Sequence, residues 1–306
     1  MTITAIILVL ISTFMHAGWN FFGKKTSPTL GFFFLTMVAG SLIFSPVVFY
    51  HWSLIMALNV DIVVLLFLTG LFQSFYLWGL AEAYKSGDMS IAYPIARSSP
   101  LIVVCISSFF LGQQQNVSAQ AVVGIVLIVL GCLFIPLPSF RDLKLSNYQN
   151  RTTAFALVAA FATAGYSLVD NRATQLMRGL TNDVGDTLAS ASEVALVYVT
   201  LQSAFSVIWM IGIVLSTQKQ RSELCILSKT QWRAALLTGA LMLGTYSLVI
   251  LSMAFVDNVS YVVAFRQLSI PLGVLFAVIG FKESLKRPKI IGVIITFIGL
   301  IAVALG

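Results

Sequence analysis

Charge is scarce in this chain. Only 9% of its 306 residues are Asp, Glu, Lys or Arg, against about 25% in soluble domains, which excludes an ordinary water-soluble globule. Histidine occurs twice and cysteine three times. Cys105, Cys132 and Cys225 have no metal-ligand spacing, and two of them sit within apolar runs, where cysteine serves as a small apolar filler. No HExxH, GxSxG or paired metal-ligand spacing occurs, so the chemistry of metal-assisted hydrolysis and acyl transfer has no motif to run on. The expectation is a protein that is not an enzyme, with no catalytic residue, no metal and no cofactor. Long polar segments are missing too, and the connections leave nothing for a soluble domain. The first apolar run has no basic leader, and "MHAGWNFF" lacks a small-residue cleavage pattern, so it does not read as a cleaved signal.

Hydrophobic residues are present in quantity, at 58% of the chain, with a mean hydropathy of +0.96. They fall in ten runs: Thr4–Gly23, Gly31–Tyr50, Ile62–Tyr84, Met89–Leu111, Ala119–Leu137, Thr153–Asn171, Val194–Ser216, Arg233–Val256, Ser260–Phe281 and Pro288–Gly306. Each is about the 20 residues needed to cross a hydrocarbon core. The net charge of +7 has a plain cause and does not point to nucleic acid. Of 18 Lys and Arg, 16 lie between runs or at their ends, as the positive-inside rule expects.

The runs repeat in register. "AGWN" (17–20) answers "AGYS" (164–167), "TG" (69–70) answers "TG" (238–239), and Tyr76 answers Tyr246. Ser90 answers Ser260, and Arg97 answers Arg266 after a slip of one residue. Gly124 and Gly131 match Gly292 and Gly299 at the same spacing of seven. Each copy holds five runs, an odd number, so the second copy must enter the membrane inverted. Inverted repeats with a midplane site mark secondary transporters. The expected fold is therefore an all-α integral membrane protein of ten transmembrane helices in two inverted five-helix repeats. The first repeat spans 1–138, a linker 139–151, and the second repeat 152–306.

Basic residues agree with the inversion. The connection between runs 2 and 3 has none, whereas that between runs 7 and 8 holds Lys219, Arg221 and Lys229 beside Arg233. "QQQNVS" after run 4 has none, whereas the connection after run 9 holds Lys282, Lys286, Arg287 and Lys289. Over the chain, odd-numbered connections carry 14 basic residues and even-numbered ones carry two, Arg172 and Arg178. The rule places the odd connections in the cytoplasm and both termini outside, in a multi-pass protein of the inner (plasma) membrane.

"GLAEAYKSGDMSIAYPIARSSPL" (79–101), "HAGWNFFGKK" (16–25), "VSYVVAFRQLSIPLGVLF" (259–276) and "FKE" (281–283) resemble the EamA-type transporters of the drug/metabolite transporter superfamily. The resemblance runs over nearly the whole chain. It implies a ten-helix exporter or exchanger of small metabolites, with a central cavity lined by spans 1, 3, 4, 6, 8 and 9 or their neighbours. Two departures stand out. The family usually has an acidic residue after the fourth span, where this chain has Gln114. Its termini are usually cytoplasmic, opposite to the charge distribution here.

Two arginines lie inside runs. Arg97 is about 12 Å deep and Arg266 about 9 Å deep from the opposite face, at 1.5 Å per residue. Arginine at such depth costs about 2.5–3.5 kcal/mol on insertion scales, so it must face a polar interior. Pro94, Pro100 and Pro271 leave backbone carbonyls without their helical donors, and these also need partners. Ser90, Tyr93, Arg97 and Pro100 form one stripe. The two readings are a structural arginine held by carbonyls or a carboxylate such as Glu82 or Asp170, and an arginine that attracts an anionic or zwitterionic substrate group.

The candidate substrate ligands are Arg97, Arg266, Tyr93, Tyr76, Tyr246, Asn20, Trp19 and Gln267. Tyr166, Tyr198, Trp209 and Tyr261 are further candidates for a cavity wall, with lipid-facing packing as the plainer use of each. The proton-coupling candidates are His16, which titrates near neutrality, and Glu82 and Asp170, both placed near run ends at the interface. Runs 5 and 10, nearly without polar atoms, are expected to support the bundle or to form a homodimer contact through their glycines. The expected partners are a small-molecule substrate and the lipid bilayer, with no nucleic acid. The functional expectation is a secondary transporter of a small organic metabolite, anionic or zwitterionic such as an amino acid. The alternatives are a multidrug exporter, which needs an acid in the cavity, and a lipid-carrier flippase.

Overall fold

The computed structural model describes residues 2–23, 29–86, 96, 99–100, 102–103, 118–135, 137, 139–144, 149–182, 185–272, 275 and 286–305, without the side chains of 18–23, 84, 86 and 304. Run 4, with Tyr93 and Arg97, lies largely outside them, as does the end of run 9. Among the described residues the fold is helical, and the one extended feature is an isolated bridge between Thr181 and Thr187. We number the principal helices α1 (Ile3–Gly23), α2 (Leu30–Tyr50), α3 (Val60–Ser86), α4 (Ala119–Phe134), α5 (Arg151–Arg178), α6 (Ala191–Val214), α7 (Trp232–Ser252), α8 (Val259–Phe265) and α9 (Arg287–Leu305). Among the described residues, five segments are long and apolar enough to cross a membrane: Leu30–Tyr50, Val60–Ala83, Arg151–Arg178, Ala191–Val214 and Trp232–Phe255. Shorter apolar helices accompany them at Ile3–Ala17, Ala119–Phe134 and Val259–Leu272.

Local chemistry sets the helix ends. Thr29, Ser118 and Asn150 each accept a backbone N–H three residues on, and Ser190 with Glu193 makes a reciprocal capping box. Inside the helices, Thr163, Ser167 and Thr174 donate to the carbonyls of Ala159, Thr163 and Asp170 at 2.7–2.8 Å. Hydroxyls satisfied in this way let α5 continue through apolar surroundings. The connection between runs 7 and 8 is itself largely helical, over Gln218–Thr230, because Thr217 caps it by accepting from the Gln220 N–H.

Glycines set the closest approaches. A Cβ on Gly124 would lie 2.7 Å from the Gly299 carbonyl oxygen, and one on Gly131 would lie 2.6 Å from that of Gly292. Helices α4 and α9 thus lie antiparallel with their backbones in contact. The glycines of runs 5 and 10 are therefore engaged with each other inside one chain. Gly40 of α2 meets Gly239 of α7 in the same manner, and Gly70 of α3 meets the backbone of Phe205 on α6. Helix α3 also lies along α5, where Gly165 seats the Phe72 ring and Gly79 admits the Phe155 carbonyl. Helix α1 lies along α7, and α2 along α6.

Candidate functional site

The most elaborate polar cluster centres on Asp170 of α5, which is 0% exposed. Its Oδ1 accepts from the hydroxyls of Tyr198, at 2.7 Å, and Thr69. Its Oδ2 accepts from Gln202 Nε2 at 2.9 Å and from the Tyr246 hydroxyl. Gln202 Nε2 also donates to Thr69 Oγ1 at 2.9 Å, closing the cluster. Four donors from α3, α6 and α7 match the four lone-pair positions of a carboxylate. Asp170 is therefore not interfacial, contrary to expectation. Run 6 reads as ending at Asn171 because polar residues follow, but α5 continues to Arg178 and buries Ala173, Thr174 and Met177 as well.

From Asp170 the site builds outward through Tyr246. The Tyr246 ring meets Tyr166 edge-on at 5.8 Å, and Tyr166 meets Tyr76 likewise at 5.9 Å. The repeat-related pair Tyr76 and Tyr246 is thus joined into a row of three rings. The Arg266 guanidinium carbon stands 5.2 Å from the Tyr246 ring centroid, a cation–π contact worth about 0.5–2 kcal/mol. One tyrosine hence links the carboxylate, through its hydroxyl, to the cation at its ring.

These rings wall a half-open cavity of about 50 Å³. His16 of α1, Gln73 and Tyr76 of α3, Tyr166 of α5, Tyr246 of α7 and Arg266 border it. Neighbouring elements also contribute, namely α2 through Met37 and α6 through Gln202 and Ser203. A narrow recess adjoins it, bordered by Ser12, Thr13, His16, Arg266 and Ser269. His16 and Arg266 belong to both.

Arg266 reaches this position because run 9 is not a uniform helix. It is α-helical over Val259–Phe265 and tightens to a 3-10 turn at Arg266–Leu268, close before Pro271, which cannot donate to the Gln267 carbonyl. Gln267 is buried, and its Nε2 donates to the Val263 carbonyl at 3.2 Å. It does not border either opening.

The other candidates fall in several places. Glu82 sits near the end of α3, 3.0 Å from Lys85, away from the tyrosine row. Tyr198 lies behind the cavity on Asp170. Trp209 donates to the Phe67 carbonyl at 2.9 Å and packs on the Phe67 ring, and Tyr261 accepts from the Ser118 N–H at 3.3 Å, so both are packing residues. Trp19 and Asn20 lie on α1 with side chains outside the described residues, and Tyr93 and Arg97 are outside altogether. Sequence reasoning missed Thr69, Gln73, Gln202 and Ser269. Gln73 and Gln202 had a usable signal, since side-chain amides within apolar runs seek polar interiors.

Comparison with known proteins agrees with this architecture. A solved crystal structure shares the fold with a TM-score of 0.65 over 98% of both chains, at 14% sequence identity. No curated protein matches in sequence. Residues 3–137 match the EamA-like transporter family, which belongs to the drug/metabolite transporter superfamily.

Proposed function

We propose that the protein is a secondary transporter, an exporter or exchanger, of a small organic metabolite that is anionic or zwitterionic, such as an amino acid. Arg266 carries this reading. Its guanidinium borders the cavity, and its Nη1 is buried without a hydrogen-bond partner among the described residues. A cation in an apolar chain must find compensation, and a substrate anion arriving in the cavity supplies it. The neighbouring acid cannot receive a cationic drug in the same way, because Asp170 is enclosed by its own four donors.

The mechanism proposed is alternating access of two inverted five-helix halves, 1–138 and 152–306, joined by 139–151, in ten spans. Helix pairing supports it. Exchanging the halves turns the pair α1 with α7 into the pair α5 with α3, and both pairs are in contact. The same exchange converts the contact Gly124–Gly299 into Gly131–Gly292, and both are present. In this proposal Arg97, Tyr93, Trp19 and Asn20 are the substrate ligands of the first half. Tyr76, Tyr246 and Arg266 complete the set, whereas Gln267, expected to be a ligand, borders neither opening and holds the backbone behind the wall through the Val263 carbonyl. His16, bordering both openings, is the favoured proton-coupling residue. Glu82 and Asp170 are weaker candidates, the one paired at a helix end and the other fully hydrogen-bonded.

Metabolite profiling of a deletion strain against an overexpressing strain tests the function. At least one small anion or zwitterion is expected to differ between them. Arg266→Gln and Arg97→Gln are expected to erase that difference while normal amounts of protein reach the membrane. An unchanged difference in Arg266→Gln removes this arginine from the transport site.

A further inference from the structure

We infer that the ligand of this cavity is an oxyanion, a carboxylate or phosphate, borne on a flat ring. The anionic group would lie where the cavity and the smaller recess meet, and the ring would lie against the tyrosine row. The inference rests on the transporter reading and adds the chemical class and placement of the substrate.

Three buried polar atoms at these openings have no partner among the described residues: Arg266 Nη1, Ser269 Oγ and Thr245 Oγ1. Ser269 is 2% exposed and borders the recess, whereas Thr245 is 4% exposed and borders the cavity. Buried polar atoms in native proteins nearly always have partners, so three orphans bordering two openings that share Arg266 mark missing ligand contacts. Arg266 and Ser269 are three residues apart where the chain winds as a 3-10 turn, the spacing that puts two side chains on one side. The orphans are one obligate donor and two hydroxyls able to donate, and the single nearby carboxylate is saturated. That set selects an acceptor-rich, negatively charged group.

The body of the ligand follows from the walls. Tyr76, Tyr166 and Tyr246 already stand edge to face, and a further ring extends such a row favourably. Met37 and Met242 border the same cavity, and their flexible thioethers adapt to a flat guest.

The test uses the purified full-length protein in lipid nanodiscs. Its thermal unfolding is followed against benzoate, phenyl phosphate, acetate and benzyltrimethylammonium at constant ionic strength. Benzoate or phenyl phosphate is expected to raise the midpoint at lower concentration than acetate, and the better of the two identifies the oxyanion. Benzyltrimethylammonium is expected to have no effect. Ser269→Ala and Thr245→Val, both small changes, are expected to weaken the response about tenfold each, the loss of one charge-assisted hydrogen bond. Arg266→Gln is expected to abolish it. Equal stabilisation by the ammonium compound, acetate as effective as benzoate, or unaltered responses in Ser269→Ala and Thr245→Val overturn the inference. A metabolite transported by a protein that shows no anion response also overturns it, while leaving transport intact. An anion response without any transported metabolite leaves the site standing and removes transport.

Discussion

Tyr246 uses the two ends of one side chain for different tasks. Its hydroxyl donates to Asp170 and its ring lies against Arg266, so the carboxylate reaches the cation through it. Tyr246→Phe separates the tasks. It should keep the ring contact and lose about 1.5–3 kcal/mol, the usual worth of a hydrogen bond to a charged group, measured as a lower thermal midpoint in detergent. A double-mutant cycle with Asp170→Asn should show coupling of about 0.5–3 kcal/mol. Additive losses would mean that Asp170 does not position Tyr246. The tyrosine was legible in the sequence because its repeat partner Tyr76 stands at the matching place. Asp170 was visible but misplaced, since the polar stretch "DNRATQ" (170–175) looks like an exit from the membrane when read without its neighbours. Nothing local in the sequence marks Thr69 as one of its donors, because that bond joins residues 101 positions apart.

Helices α4 and α9 show what a residue without a side chain does for an element. Added Cβ atoms at Gly131 and Gly292 would each meet the other helix's backbone at 2.6 Å, and backbone cannot swing aside. Alanine at either position is expected to destabilise by about 1–3 kcal/mol through overpacking, despite its better helix propensity. Gly212 in α6 is the contrast, with nothing within 4 Å of its added Cβ. Gly212→Ala should be neutral or stabilising by up to about 1 kcal/mol. Thermal unfolding of the three variants decides the matter, and equal behaviour of Gly131→Ala and Gly212→Ala would contradict the seam. The helices themselves were readable as apolar runs, and α1, α2, α3 and α9 begin within two residues of their runs. What the runs could not show was the partner of each face. An apolar residue reads alike against lipid and against another helix, which is why the spacing of seven suggested either a bundle contact or a second copy. The break in run 9 was foreshadowed by Pro271, but the turn that carries Arg266 required the backbone itself.

Contacts between connections sort the whole molecule into two sides. Thr2 donates to the Phe255 carbonyl at 2.9 Å, which puts the N-terminus with the connection after α7. Ser118, just before α4, donates to Tyr261, just after that connection. His51, after α2, lies 3.9 Å from Glu193, at the start of α6. On the other side, the basic helix Gln218–Thr230 packs by Leu227 near Gly31, at the start of α2. It brings Lys219, Arg221 and Lys229, and Arg233 lies over the Trp232 ring beside it, as tryptophan does at a membrane interface. Basic residues thus gather on the side away from the N-terminus. In the proposed ten-span arrangement the positive-inside rule would make that side cytoplasmic and return the C-terminus to the outside. Alkaline phosphatase fused after Gly306 should therefore be active, since it folds only where its disulfides can form, and a fluorescent protein at the same place should be dark if secreted unfolded. Active phosphatase fused within residues 218–230 instead, with inactive enzyme at the C-terminus, would reverse the molecule. It would leave every contact above intact and put the Arg266 end of the cavity at the opposite face of the membrane.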